Sequence, residues 1–479
     1  MQPMRVAIVG GGPGGLMTAY LLERRTPSPC AITLFEASHR LGGKIVTRQF
    51  SKAPVLYEAG AAELYDYSQL GPDPLREMIA EFGLTTRPMS GETVVLGGRI
   101  LKTESDTRRA YGEETFQALK QFRRKARSLI SPAEYYESDW QEDNRDPLST
   151  QRFDALLAEV GDATARRYIE TAIHSDVATE PEQTNSTYGL QNYLMNEPDY
   201  MRLYTIDGGI ERLPQELARR ITARVLLNQP VIRVEQTAGK HYRVTSRRGD
   251  CEVSDEFDFV VVALPNNWIP AIEWGGTLLD GAMWKHHDHY NHPAHYLRVS
   301  VLFQRPFWRE QIAESYFMLD AFGGCCVYDE SARNGGGGYG VLGWLLGGEA
   351  ALTQANFDDA TLIQRVLDSL PASLRHGRDL FLEGQVHRWL GCVNGLPGGN
   401  PQHDLDTRHQ PEPAQHEGLF VVGDYIYDST LNGVLDSADY VTDWIVEELK
   451  AHHAKTNDLA AVANTVSRNG SAKTEMLAS

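Results

Sequence analysis

A glycine-rich turn near the N-terminus constrains this chain more than any other feature. Arg5–Val9 (RVAIV) is a short apolar, β-branched run. It breaks into Gly10-Gly11-Gly12-Pro13-Gly14-Gly15, and a helical pattern starts at Leu16. Gly10, Gly12 and Gly15 fall on the spacing G-x-G-x-x-G. In that arrangement the first glycine makes the tight turn and the second lets the backbone approach a pyrophosphate. The third lets helix and strand pack closely, and the free N–H groups of the helix start receive the phosphate charge. A second run, Ala31–Phe35, ends in Glu36, 21 residues beyond Gly15, where an acidic residue binds a ribose hydroxyl. The context predicts a dinucleotide site. The rival reading is a strand–helix junction followed by a chance surface Glu.

Arg40-Leu41-Gly42-Gly43-Lys44 follows, offering two more glycines beside two cations for a second approach to the same diphosphate. Next comes Tyr57-Glu58-Ala59-Gly60-Ala61-Ala62. These strings resemble the start of the flavin-containing amine oxidase superfamily, which includes monoamine, polyamine and L-amino-acid oxidases and protoporphyrinogen oxidase. The family patterns are R-x-G-G-R and (E/D)-x-G-A. Lys44 stands in for the second Arg, which keeps the cation and loses bidentate phosphate geometry. Near the other end, Gly418–Asp424 reads as a buried strand ending at Gly423-Asp424, followed by Leu431-Asn432-Gly433-Val434. The helix after it buries Val434, Ala438, Val441, Ile445 and Leu449 on one face. This is similar to the family's C-terminal flavin signature.

The resemblance implies FAD as cofactor. It assigns Gly10, Gly12, Pro13, Gly14, Gly15, Glu36 and Ala37 to the nucleotide end. Arg40, Gly42, Gly43, Lys44 and Gly60, Ala61, Ala62 fall along the diphosphate and flavin. Val231 lies on a strand passing the adenine. Asp424, after Gly423, sits by the ribityl or pyrophosphate, and the helix start at Gly433 and Val434 points at the flavin pyrimidine. A positive dipole end there stabilises a reduced, anionic flavin.

At 479 residues two domains are expected. The fold class is α/β: a discontinuous Rossmann-like FAD-binding domain (1–75, 205–289 and 383–454) with an inserted α+β substrate domain (76–204 and 290–382). Residues 76–204 read as mostly helical, Glu383–Trp389 as re-entering the cofactor domain, and 455–479 as a disordered tail. No run of about 18 apolar residues exists, so no transmembrane helix is expected, nor is a signal peptide. The net charge of −18 argues against nucleic-acid binding. Five cysteines without metal spacing predict no metal site and a reducing cytoplasm.

The segment Arg298–Trp308 is similar to a monoamine-oxidase strand ending in Pro-Phe-Trp. Where those enzymes carry a lysine, eight residues before the proline, this chain has Arg298. An Arg cannot act as a base but can clamp an anion or carbonyl through two parallel N–H bonds. Its rival is an Arg turned away from the site and paired at the surface. L-amino-acid oxidases place a carboxylate-binding Arg just after the (E/D)-x-G-A motif, and here the position three after Gly60 is Glu63. Glu63 would repel a substrate carboxylate, and could pair with a cationic amine or serve as a base. Its rival is an exposed loop residue. The pair resembles bacterial tailoring amine oxidases. One position of the family's aromatic cage falls on Thr430, and Trp389 matches a family tryptophan with no Tyr after it, so that cage is at least half missing. Tyr425 could supply a ring. His174, Tyr188 and Tyr193 could line a pocket, and Cys392 reads as a buried thiol. The expected reaction is hydride removal from a small molecule, at carbon bonded to nitrogen, with dioxygen regenerating the flavin. The alternatives are a C–C desaturase resembling protoporphyrinogen oxidase, and a flavin-binding protein without turnover.

Overall fold

The computed structural model describes residues 3–26, 30–69, 71–137, 147–197, 199–238, 241–334, 338–399, 403–427 and 429–451. The expected tail at 455–479 lies outside them. At the centre is a five-stranded parallel sheet. Its order is Arg224–Leu226, Cys30–Phe35, Met4–Val9, Phe259–Val262 and Leu419–Val421. Both faces are buried, which is why these strands are unbroken β-branched runs. Side chains alternate across the sheet. Val6, Ile8 and Val261 pack against Leu16, Met17 and Leu22 of the helix Pro13–Arg25, and against Ala438, Val441 and Ile445 of the helix over 431–451. Ala7, Val9, Val260 and Val262 face the other way, onto Val234, Tyr242 and Trp274. Those last three belong to a four-stranded sheet ordered Cys251–Phe257, Tyr242–Arg248, Val231–Gln236 and Glu273–Gly275. The antiparallel pairing of Val231–Gln236 with Tyr242–Arg248 is the expected hairpin. Cys251–Phe257 had no apolar signature because it is exposed along most of its length.

A seven-stranded sheet forms the second large layer. Its order is Phe381–Asn394, Pro293–Phe303, Gly340–Gly347, Cys325–Asp329, Tyr316–Leu319, Val94–Leu96 and Arg99–Leu101. Glu383–Trp389 therefore does not re-enter the nucleotide sheet. It pairs antiparallel along Pro293–Phe303, with His387 opposite Arg298 and Trp389 opposite Tyr296. Residues 76–204 are also less purely helical than expected. Thr86–Met89, Val94–Leu96 and Arg99–Leu101 are strands of three or four residues, too short for a period to register. Helices Glu104–Leu129, Ala163–Val177 and Ser186–Leu194 cover them. The first carries a capping box from Thr103 and Asp106 and breaks at Gly112 (φ 91°). No helix of the described residues is long and apolar enough to cross a membrane.

Candidate active site

The N-terminal glycines divide by role. A Cβ on Gly15 would lie 2.0 Å from Gly10 O, and one on Gly10 (φ +110°) would lie 2.4 Å from Ala263 O. Both positions exclude a side chain for reasons internal to the turn. Gly12 is different: a Cβ there would meet only Gly43 Cα, at 3.9 Å. The protein leaves room on that face. Gly12 also caps the helix Pro13–Arg25 with no side-chain hydrogen bond, so the helix start keeps backbone donors for an anion. The second glycine pair closes the same space. Gly42 N–H donates to Gly11 O (2.8 Å), and a Cβ on Gly43 would lie 3.1 Å from Gly12 Cα. Glu36 accepts from Gly11 N–H (2.8 Å) and Ser38 N–H (2.7 Å), one on each oxygen. A carboxylate has about four acceptor sites, so two remain for ribose hydroxyls. Ala37 is exposed beside it. Arg40 is half-buried and donates to Gly43 O (2.6 Å) and Leu41 O (3.2 Å), bracing this turn.

The C-terminal signature meets this cradle. A Cβ on Gly14 would come 3.0 Å from Val422 Cγ1 and 3.5 Å from Val434 Cγ1. The two helix starts, more than 400 residues apart in sequence, are thus in side-by-side packing. Lys44 Nζ donates to Asp424 Oδ2 (2.8 Å) and to Cys392 O (2.6 Å), joining the two motifs again. The helix begins at 431, two residues before Gly433, and Thr430 caps it: Gly433 N–H donates to Thr430 Oγ1 (3.1 Å). Gly60 sits where a Cβ would strike Lys44 O at 1.9 Å. Ala61 is exposed and Ala62 buried, while Val231 starts its strand opposite Ser246 with a bulge after it. The uncapped helix start, the open face at Gly12 and the Lys44 cation fit an FAD. They would hold its diphosphate between the two glycine pairs and its ribose at Glu36.

A small cavity of about 50 Å³ lies beside this cradle, bounded by Ser429 and Thr430 just before the second helix. Tyrosines dominate it: Tyr65, Tyr67, Tyr135, Tyr188 and Tyr296 are in its wall, with Asp176. Glu63 is adjacent, and Tyr65 Oη donates to its Oε1 at 3.4 Å. Glu63 is half-buried. Burial raises the Glu63 carboxyl above its ordinary range, opposed by hydrogen bonding from Tyr328 and the charges of Arg298 and Arg333. Burial also pushes Asp176 far up, and the Glu63 charge adds to it.

Arg298 does not offer the expected two-bond clamp. It is 1 % exposed. Its Nε donates to Glu58 O (2.6 Å) and one Nη pairs with Glu330, while Arg333 pairs with Glu58. Glu330 also accepts from Glu58 N–H (2.7 Å). Two acidic and two basic side chains thus form a buried, mutually paired quartet behind the (E/D)-x-G-A turn. Only Nη1 of Arg298 lacks a partner among the described residues. The cation lies over the Tyr328 ring (4.9 Å) and reaches Glu63 through its field. Tyr425, expected near the substrate, is instead in the core. Its hydroxyl meets His286 Nε2 at 3.3 Å and its ring packs on Tyr290. Trp389 Nε1 donates to Ala59 O (2.6 Å), bracing the same turn as the quartet. His174 pairs with Glu180 away from the cavity, and Tyr193 lines a different cavity, of about 310 Å³, near Arg123 and Glu197. Asp176 and Glu330 carried no signal in the sequence: one lies inside a helix and the other just after a strand. No group of three or more His, Cys, Asp or Glu that could hold a metal occurs among the described residues.

A family model described as flavin containing amine oxidoreductase matches residues 13–443. An L-amino-acid oxidase of Bothrops jararacussu is 25 % identical over 305 residues, 54 % of this chain and 52 % of its own length. A Mycobacterium tuberculosis protein named as a flavin-containing monoamine oxidase is 23 % identical over 417 residues, 82 % of this chain and 84 % of its own. The chain spans about half the length of the first curated relatives it matches. In fold it is similar to cyclohexylamine oxidase from Brevibacterium oxydans, with a TM-score of 0.72 at 18 % identity, covering 94 % of this chain and 100 % of that one.

Proposed function

The chain belongs to the flavin-containing amine oxidoreductase family, and from that premise we propose that it is an FAD-dependent oxidase of amines. The substrate loses a hydride from a carbon bonded to nitrogen, and dioxygen takes up the electrons as hydrogen peroxide. FAD held in the glycine cradle supplies the hydride acceptor. One observation carries the reading: a tyrosine-walled cavity beside that cradle, with the Asp176 carboxyl in its wall and Glu63 adjacent, bonded to Tyr65. Such a wall suits a protonated amine and opposes a free carboxylate. This favours amines over the amino acids oxidised by the Bothrops relative.

Within this reading Glu63 takes the ammonium proton, because a C–N carbon gives up hydride only when its nitrogen has a free lone pair. Its raised pKa suits that task. Arg298 acts as a positioning residue: its charge tunes Glu63, and its bonds to Glu58 O and Glu330 hold the turn that carries Glu63. Trp389 and Thr430 border the flavin side. The test is a panel of amines, amino acids and amides assayed for peroxide and for bleaching of the visible flavin band. Peroxide with amines supports the proposal. Bleaching without peroxide would point to a dehydrogenase, and oxidation confined to C–C substrates would point to a desaturase. Flavin binding with no bleaching by anything would point to a protein without turnover.

A further inference from the structure

Charge accounting around the cavity leaves one group without a partner. Glu58 and Glu330 are matched by Arg333 and Arg298. Glu63 feels both guanidiniums and two tyrosine hydroxyls. Asp176 has neither kind of support. It is 7 % exposed, its Oδ1 meets only the Ser175 hydroxyl at 3.5 Å, and its Oδ2 accepts no hydrogen bond among the described residues. No arginine, lysine or histidine is among the described residues lining the cavity.

An isolated buried carboxylate is costly, and a protein that keeps one in a cavity wall gains by filling the place with a cation. The neighbours suit that occupant. Tyr65, Tyr188 and Tyr296 share the wall, and tyrosine faces attract ammonium groups. Tyr296 Oη donates to Asp176 O (3.2 Å), which fixes this ring against the helix end that carries the carboxylate.

We infer that Asp176 is the anchor for a positively charged nitrogen of the substrate, and that it makes the cavity select ammonium-bearing molecules over neutral molecules of the same shape. This deepens the amine-oxidase reading and rests on it for the chemistry that follows binding. Asp176 touches the substrate in this account, while Glu63 handles the proton.

The experiment uses two probes that cannot turn over. tert-Butylamine has no hydrogen on the carbon bearing nitrogen, so no hydride can leave it, and tert-butanol is its neutral isostere. Binding of each to the FAD-loaded protein is measured by ligand-observed NMR. The wild type should bind tert-butylammonium at least about tenfold more tightly than the alcohol. Asp176→Asn should erase that preference by weakening the ammonium alone, and Asp176→Glu should keep part of it. Equal binding of the two probes to the wild type would overturn the inference, and needs no variant. So would an Asn variant that retains the preference, or one that loses both probes alike, which would mark a purely steric role. An ammonium preference with no amine able to bleach the flavin would leave Asp176 as the anchor and remove the oxidase proposal. Amine oxidation indifferent to Asp176 would do the reverse.

Discussion

Glu63, half-buried, and Glu330, fully buried, both lie close to Arg298, yet removing their charges should have opposite consequences. Glu330 is 0 % exposed and neutralises Arg298. Glu330→Gln leaves a guanidinium buried without a counter-ion and should cost ~3–5 kcal/mol, read from the denaturant midpoint. Glu63→Gln removes a carboxylate that burial already disfavours. It should leave stability unchanged or slightly raised while slowing flavin reduction by about 10²-fold or more. Equal stability losses in the two variants would show that the quartet and Glu63 form a single unit. Glu63 was legible as a position, beside the cavity's Tyr65, because it follows a motif at fixed spacing. Arg298 was legible as a position and not as a geometry, because its partners Glu58 and Glu330 come from segments far apart in sequence. Asp176 was not legible at all: its carboxylate follows Ser175 in a helix, and only the fold brings it to Tyr65 and Tyr296.

The glycine turn and its helix form an element whose two requirements can be separated. Gly15→Ala sets a Cβ 2.0 Å from Gly10 O, so it should destabilise the protein itself, with loss of soluble yield or a lowered melting temperature. Gly12→Ala meets no protein atom closer than 3.9 Å and the residue has an ordinary φ of −74°. It should fold like the wild type and bind FAD at least about tenfold more weakly, measured by fluorescence titration. Retained FAD affinity in that variant would place the diphosphate elsewhere. A second element, the end of the helix Ala163–Val177, is held by His174, which bonds Gly324 O (3.0 Å) and Glu180 (3.0 Å). Burial alone would lower the His174 pKa, and the Glu180 bond and charge outweigh it, raising it above the usual 6.5. The stabilisation is therefore complete below the unfolded value and is lost as pH rises through the raised one. The melting-temperature gap between wild type and His174→Gln should shrink as pH rises above 6.5. A gap independent of pH would mean that the fold leaves the imidazole pKa at its unfolded value.

For the molecule as a whole, the helices Pro13–Arg25 and 431–451 come together on one face of a parallel sheet, and the account makes FAD the group bound between their starts. A ligand that binds only the folded state stabilises it by about 2.7 kcal/mol at a hundredfold excess over its dissociation constant. Added FAD should therefore raise the melting temperature, and an unchanged transition would contradict the cradle. Four of the five central strands and the two helices packed on them were readable because buried parallel strands are continuous apolar runs with glycine punctuation, while the order of the strands and the short strand Arg224–Leu226 were not. The strand Phe381–Asn394 was misplaced because a half-buried edge strand pairs with whichever sheet the fold brings alongside it, and sequence does not say which. The short strands at 86–101 carried too few residues for a period. The central claim, that this site removes a hydride from an amine, is tested most directly under anaerobic conditions. A primary amine mixed with the FAD-loaded protein should bleach the visible flavin band, and admitting oxygen should restore it with one peroxide per flavin. A band unchanged by any amine would contradict the account.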